Sequence, residues 1–254
     1  MLTQERRQRI VELVQQRGTI STKELSESLD VSEMTIRRDL EYLDQRSSII
    51  RHFGGASNRS GYALVGTDFA QKMNNQVEEK KRIAAKARSL VKEHESIFVD
   101  HSSTCVFLAR ELGQLANITV VTYSVPVVLE LAKTRVQVIC AGGTLLQPNE
   151  CFIGPLAEEM IGRFHADKVF LGTQGVDAAS GLSNADLFEV NMKNSMADRS
   201  TEVIVLADHT KFQKAGLYPT VPASKIHTLV TDSGTGQDSI DQWMGLGIRV
   251  LIAD

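Results

Sequence analysis

The sequence predicts an α/β chain in two parts, a small helical unit closed by a β-hairpin and a larger unit built on a parallel sheet. Two patterns predict it. Up to residue 57, apolar residues recur at helical spacing between capping signals and give way to a Gly-Gly turn. From residue 76 onward, seven short apolar runs alternate with helical stretches, the order that yields a parallel sheet covered on both faces.

Composition fits that class. Hydrophobic residues make up 42% and charged residues 23% of the 254 positions, a globular mix that excludes a disordered or collagen-like chain. No run approaches the roughly 18 apolar residues of a membrane span. The opening residues, MLTQERRQRIVELVQQRG, are interrupted by charge and are not expected to be a signal peptide. Cys105, Cys140 and Cys151 are far apart and odd in number, which fits neither a disulfide framework nor a zinc site. A reduced, cytoplasmic protein is the expectation. Residues 1–60 carry 10 basic and 9 acidic side chains and the remainder 18 and 22. A nucleic-acid interface must therefore be argued from where the arginines sit, not from net charge.

In the first part, Leu2, Ile10, Leu13 and Val14 lie at helical spacing and Gly18 is a stop signal. Ser21-Thr22-Lys23-Glu24 has capping-box form and starts a second, short helix with Leu25 and Leu29 on one face. Asp30-Val31-Ser32 is a turn, and Ser32 caps a third helix whose Ile36, Leu40 and Leu43 face inward. Its opposite face carries Met34, Arg37, Arg38, Glu41 and Tyr42. Ile49 through Phe53, with the turn Gly54-Gly55, predict a two-stranded wing. Two short helices joined by a tight turn, the second bearing adjacent arginines, form a helix-turn-helix, whose second helix enters the major groove. Arginine suits that place because its planar fork pairs with guanine or clamps a phosphate. A solvated helix of an ordinary bundle carries the same kind of charged face.

In the second part the apolar runs are 97–99, 118–121, 136–139, 169–171, 203–206, 228–230 and 250–252, with helices expected over 104–113, 125–132, 155–163, 186–199 and 237–245. Ligands of such sheets bind beyond the C-terminal ends of the strands. The loops there are Asp100-His101-Ser102-Ser103-Thr104, Thr122-Tyr123-Ser124, Ala141-Gly142-Gly143-Thr144, Gly172 through Asp177, and Ala207 through Phe212. Hydroxyls and free amides at a helix start bind an anion, typically phosphate, and glycines admit close backbone approach. Each loop alone also reads as a cap or a turn; five at one edge of a sheet point to a site.

Arg6, Ile10 and Val14, then Ser32 followed by Thr35-Ile36-Arg37-Arg38-Asp39-Leu40, resemble the DNA-binding signature of the DeoR family of bacterial repressors. The resemblance implies a winged helix-turn-helix domain over 1–57. In it Ser32, Thr35, Arg37 and Arg38 would meet the groove and the phosphates, Asp39 would orient an arginine from inside, and Arg51 and His52 would lie on the wing near the DNA backbone. A linker is expected over 58–75, leading through Asp68-Phe69-Ala70-Gln71-Lys72, where the family prefers Arg at position 72. Residues 76–254 would form an effector-sensing and oligomerisation domain, Rossmann-like and similar to ribose-5-phosphate isomerase and the CoA-transferases. Carried over by position, Asp100, Ser102, Ser103 and Thr104 would form a phosphate loop and Thr122, Ser124, Gly142 and Gly143 would line the pocket. Gly172, Gln174, Gly175 and Asp177 would lie on the next loop. Glu189 and Lys193 would project from one helix face, and Lys211 would reach in from the last loop.

The chain departs from the family at Ser47, where Gly is usual, and at Phe53, where His is usual. It reads His101-Ser102-Ser103-Thr104 for the usual Ser-Gly-Ser-Thr, and Tyr123 for the usual Asn. A lost glycine narrows the loop and a tyrosine adds an aromatic wall, which points away from the common hexose phosphates toward a sugar-acid phosphate. The function implied is a repressor of a carbohydrate-catabolism operon, controlled by a phosphorylated sugar or sugar-acid effector. It would be a homo-oligomer, dimer or tetramer, on double-stranded operator DNA, with no membrane association and no cofactor. The alternative is a sugar-phosphate isomerase with an appended DNA-binding domain, using Glu189 as base. No metal is expected, because His52, His94, His101, His165, His209 and His227 show no ligand spacing.

Overall fold

In a computed structural model the described residues are 3–17, 19–45, 49–52, 55–57, 69–212 and 214–254. They form two compact units that divide between residues 68 and 69. Gly18, Ser47, Phe53, Gly54 and the stretch 58–68 lie outside the described residues.

The first unit comprises α1 (Thr3–Arg17), β1 (Thr19–Ser21), α2 (Thr22–Leu29), α3 (Glu33–Gln45), β2 (Ile50–His52) and β3 (Gly55–Ser57). α2 starts at the capping box: Ser21 Oγ accepts from the Glu24 amide at 3.1 Å, and the Glu24 carboxylate accepts from the Ser21 amide at 2.9 Å. Asp30 ends α2 in the left-handed conformation, φ 50°. Ser32 Oγ then accepts from the Thr35 amide at 3.3 Å and caps α3. Ile10, Val14, Leu25, Ile36 and Leu40 pack as one core with Ile20, Ile49 and Ala56. The expected two-stranded wing is a three-stranded antiparallel sheet in the order β1-β3-β2. β1 and β3 approach so closely that a Cβ on Gly55 would stand 2.4 Å from the Ile20 carbonyl oxygen, so only glycine fits.

The second unit begins with α4 (Phe69–Asn74) and α5 (Val77–Arg88). It continues with β4 (Ser96–Val99), α6 (Ser103–Leu112), β5 (Thr119–Thr122), α7 (Val125–Leu131), β6 (Gln137–Cys140), β7 (Thr144–Leu146), β8 (Cys151–Ile153) and α8 (Pro155–Gly162). There follow β9 (Ala166–Gly172), β10 (Gly175–Asp177), β11 (Gly181–Asn184), α9 (Leu187–Asp198), β12 (Ser200–Leu206), β13 (Tyr218–Pro219), β14 (Thr228–Asp232), α10 (Gln237–Gly245) and β15 (Arg249–Ala253). Seven strands make one parallel sheet in the order β15-β14-β12-β9-β4-β5-β6. These are the seven apolar runs of the sequence. Phe98, Val169, Leu171, Val203, Val205 and Leu229 pack on one face, and Ile97, Val99, Phe170, Ile204, Leu206 and Val230 on the other. Successive side chains point to opposite faces, and with both faces covered the strands need no polar alternate.

The expectation of a linker to residue 75 is corrected. α4 belongs to this unit, with Phe69 buried in its core. α5 buries Lys80, Ile83, Ala84 and Ala87 along one stripe. The hairpin β7–β8 and the small sheet β10-β11-β13 stand apart from the main sheet. Among the described residues no helix is long and apolar enough to cross a membrane.

Candidate functional site

On α3 the expected groove residues share the outward face. Ser32, Arg37 and Arg38 are exposed and Thr35 is half-buried, its Oγ1 3.0 Å from Ser32 Oγ. Arg37 is loosely paired with Glu33 at 3.5 Å, one turn earlier and in solvent. Asp39 is turned inward and is 2% exposed, accepting from Arg6 Nε at 2.6 Å and Arg7 Nε at 2.7 Å. Both arginines come from α1, so Asp39 ties α1 to α3 and does not aim Arg37 or Arg38. The Arg7 guanidinium carbon lies 3.6 Å from the centre of the Tyr42 ring. Arg51 and His52 are on β2, opposite Ala56 and Gly55.

In the second unit β4, β5, β6, β9 and β12 run parallel, so the loops that follow them gather at one edge of the sheet. A buried network centres on Asp100. Its Oδ1 accepts from the Tyr123 hydroxyl at 2.6 Å, and its Oδ2 accepts from the Gly172 amide at 2.9 Å and from the Lys193 ammonium. Lys193, on α9, also donates to the Gly172 carbonyl at 2.8 Å. Burial alone would push the Lys193 ammonium down, but Asp100 and Glu189 outweigh it and hold it above the ordinary lysine value.

Two expectations change here. Asp100 opens the expected phosphate loop, but its carboxylate is the counter-ion of Lys193 and would itself repel a phosphate. Tyr123 is not an aromatic wall on the ligand side. It is fully buried and packs with Val121, two residues earlier, on one face of the sheet, where its hydroxyl holds Asp100.

Ser102 Oγ accepts from the Cys105 amide at 3.1 Å and caps α6. A Cβ on Gly172 would stand 2.2 Å from that Oγ, so the absent side chain of Gly172 makes room for the Ser102 that replaces the family's glycine. Ser103 and Thr104 occupy the first turn of α6 and are largely buried; amides in a first turn have no acceptor within their helix. Thr122 and Ser124 are fully buried and do not line an open pocket. Thr122 Oγ1 donates to the Val99 carbonyl at 2.7 Å and accepts from the Ser124 amide at 3.1 Å, stapling β5 to β4.

Ser124 Oγ lies 3.2 Å from His101 Nδ1. The His101 ring stacks on Phe69 with centroids 4.6 Å apart, and burial drives its imidazole down to about 3. The unfolded chain therefore binds a proton below about pH 6.5 that the folded chain refuses until about pH 3. Across that window His101 costs stability by about 1.4 kcal/mol per pH unit of acidification. Glu189, whose folded pKa is raised by burial, works in the opposite sense as pH falls toward 4.5. Urea unfolding at pH 7 and pH 5 is expected to lose more stability in the wild type than in His101→Gln; equal losses would remove His101 from the acid sensitivity.

Glu189 and Lys193, one turn apart on α9, each have other partners. Glu189 accepts from Asn149 Nδ2 at 3.2 Å and from Asn184 Nδ2 at 2.8 Å. Burial raises its carboxyl, against the pull of Lys193 and Lys72. Lys211 follows β12 with its ammonium 4.0 Å from Asp208 Oδ2, and burial lowers it. Asp208 is 1% exposed, and among the described residues its Oδ2 has no hydrogen-bond partner.

Sequence reasoning left two further lysines out of the expected site, Lys72 being named only in the lead-in to the second part. Lys72, on α4, acts electrostatically on His101, Glu189, Lys80 and Lys211. Lys80 is 2% exposed and burial pushes it to about 8. It donates to the Asn75 carbonyl at 2.6 Å and to the Lys72 carbonyl, fastening the end of α4 and with it Lys72. Its signal was present: a lysine at the head of the stripe Lys80, Ile83, Ala84, Ala87 is out of place unless it has partners. Asn149 and Asn184 carried no such signal.

Other expected residues stand elsewhere. Gly142 and Gly143 are exposed on a depression of about 380 Å³ with Leu156, Glu159, Met160 and Arg163. Gly175 sits in β10 opposite Ser183, and the Gln174 amide donates to the Ser183 carbonyl at 3.3 Å. Asp177 is exposed and closes the β10–β11 turn, accepting from the Ser180 amide at 2.8 Å and the Ala179 amide at 3.1 Å. The Ser180 hydroxyl and amide hold its carboxyl below the usual range, so its carboxylate serves the turn.

Comparison with known proteins agrees with both units. Residues 6–60 match the DeoR-like helix-turn-helix domain, and residues 75–233 match the DeoR C terminal sensor domain. The chain is 36% identical over 242 residues to the uncharacterized HTH-type transcriptional regulator YulB of Bacillus subtilis, covering 94% of this chain and 93% of that protein. It is 34% identical over 225 residues to the glycerol-3-phosphate regulon repressor of Escherichia coli, covering 88% of each. Among solved structures, ribose 5-phosphate isomerase A of Methanocaldococcus jannaschii shows a partial likeness, with 18% identity, a TM-score of 0.41, and 54% of this chain and 55% of that one covered. The relatives in sequence are named as transcriptional regulators and repressors, not as enzymes. Helix-turn-helix unit, parallel-sheet unit and relatives lead to one assignment: the chain belongs to the DeoR family of DNA-binding transcriptional regulators.

Proposed function

We propose that the protein represses genes of carbohydrate metabolism and that its second unit senses a phosphorylated sugar or sugar acid it does not transform. The observation that carries this reading is the cationic edge of the sheet. Lys72 and Lys211 act on one another there, Lys72 also acts on His101 at the start of α6, and the Ser103 and Thr104 amides of that helix have no acceptor within it. A phosphate satisfies both. The named role of the Escherichia coli relative, a glycerol-3-phosphate regulon repressor, supports a phosphorylated ligand of this kind. As a homo-oligomer the protein would set two or more copies of α3 on repeated half-sites. An effector that binds the DNA-competent and released states with different affinity shifts their balance, a tenfold change needing about 1.4 kcal/mol.

Thermal shift tests the sensor directly. Ribose 5-phosphate, fructose 6-phosphate and 6-phosphogluconate are each compared with the unphosphorylated parent. At about 100 times its Kd a ligand stabilises by about 2.7 kcal/mol, so a phosphorylated member is expected to raise the melting temperature while its parent does not. Lys72→Met with Lys211→Met is expected to abolish that rise. Equal shifts from phosphorylated and parent compounds, or an unimpaired response in the double variant, would count against the reading.

A further inference from the structure

We infer that Arg7, on the first helix of the DNA-binding unit, is a contact to the DNA phosphate backbone, held ready by Asp39 and Tyr42. Asp39 is a single buried carboxylate shared by two guanidinium groups, each through its Nε. One negative charge against two positive leaves a surplus cation. A guanidinium carries five N–H donors, and the Asp39 bond takes one from Arg7. Arg6 is 12% exposed and Arg7 26%, so Arg7 is the one that reaches solvent. A partly buried surplus cation is costly unless an anion meets it, and within this unit's partner molecule that anion is a phosphate.

The position of Arg7 on the surface supports the same assignment. Its guanidinium covers the Tyr42 ring, and Tyr42 stands one turn beyond Arg38 on α3. Arg7 therefore extends the outward stripe of α3 at its C-terminal end. A recognition helix reads base edges with its N-terminal residues, and groups further along meet the backbone, which positions the protein without reading sequence. The Nε bond and the ring beneath it fix the side chain before DNA arrives, which lowers the ordering cost of binding.

The test is the salt dependence of duplex binding by the full-length protein carrying Arg7→Gln. The Gln amide nitrogen occupies the place of Arg Nε, so the bond to Asp39 survives while the charge is removed. The probes are a labelled duplex from the region upstream of the protein's own gene and a scrambled duplex of equal length. Loss of one phosphate contact is expected to weaken both duplexes by the same factor. It should also flatten the slope of log K against log salt by about 0.9. A folded variant with the wild-type slope would overturn the inference, because a purely structural clamp between α1 and α3 does not change the number of ions released. If Arg7→Gln does not fold, the wild type decides. Phenylglyoxal modification of Arg7, read by mass spectrometry, is expected to slow when duplex is present; an unchanged rate would overturn the proposal.

Discussion

Arg37→Ala combined with Arg38→Ala is expected to weaken binding of the promoter duplex by about 30-fold or more. Each well-formed arginine contact to a base edge is worth about 1 to 3 kcal/mol of discrimination. Both side chains are exposed on α3, and the Arg37–Glu33 pair is too solvated to stabilise the fold appreciably. The double variant should therefore keep its melting temperature and its response to phosphorylated sugars while it loses the duplex. Fluorescence anisotropy at fixed salt measures the first, and thermal shift the second. An unchanged duplex affinity would remove α3 as the recognition helix, whereas loss of both responses together would indicate misfolding.

Lys193→Met is expected to lower the stability of the second unit by about 3 to 5 kcal/mol, because it strands the Asp100 carboxylate in the interior. Asp100 would keep the Tyr123 hydroxyl and the Gly172 amide but lose its only cation among the described residues. Replacing both members, Asp100→Leu with Lys193→Met, is expected to cost less than Lys193→Met alone, since no charge is then left unpaired. The readout is built in. Trp243 is the one tryptophan of the chain and is buried in this unit, so urea unfolding followed by its fluorescence reports on this unit. A loss under 1 kcal/mol would show that the pair is better solvated than its burial implies.

Much of the fold was legible because local chemistry and tertiary burial agree. The strands of the main sheet are uninterrupted apolar runs since both faces are covered, and the helices after β4 and β5 open on Ser102 and Ser124, each a side-chain cap. α5 was not legible. Its sequence VEEKKRIAAKAR offers small alanines and a buried lysine where a stripe of large apolar residues is the usual signal. α4 was read as linker because its one buried residue, Phe69, gains meaning only from His101, more than thirty positions later.

The outward face of α3 was legible residue by residue, since i, i+4 and i+7 positions fix which side of the helix is free. The sensor site was not. Position in a loop told that Asp100, Thr122 and Tyr123 lie at the C-terminal edge of the strands, but not that the Tyr123 hydroxyl bonds to Asp100 or that Thr122 staples β5 to β4. Parity could have warned of Tyr123: it stands two residues after Val121 and so shares its buried face. Lys72, Asn149 and Asn184 come from segments distant in sequence and converge on Glu189, and nothing local announces their meeting.

The most direct measurement of the whole reading is anisotropy of the labelled promoter duplex with full-length protein, titrated with each phosphorylated sugar and its unphosphorylated parent. At least one phosphorylated compound is expected to change the duplex affinity tenfold or more while its parent leaves it unchanged. A duplex affinity indifferent to every phosphorylated compound that binds the protein would contradict the claim that the second unit governs the grip of the first.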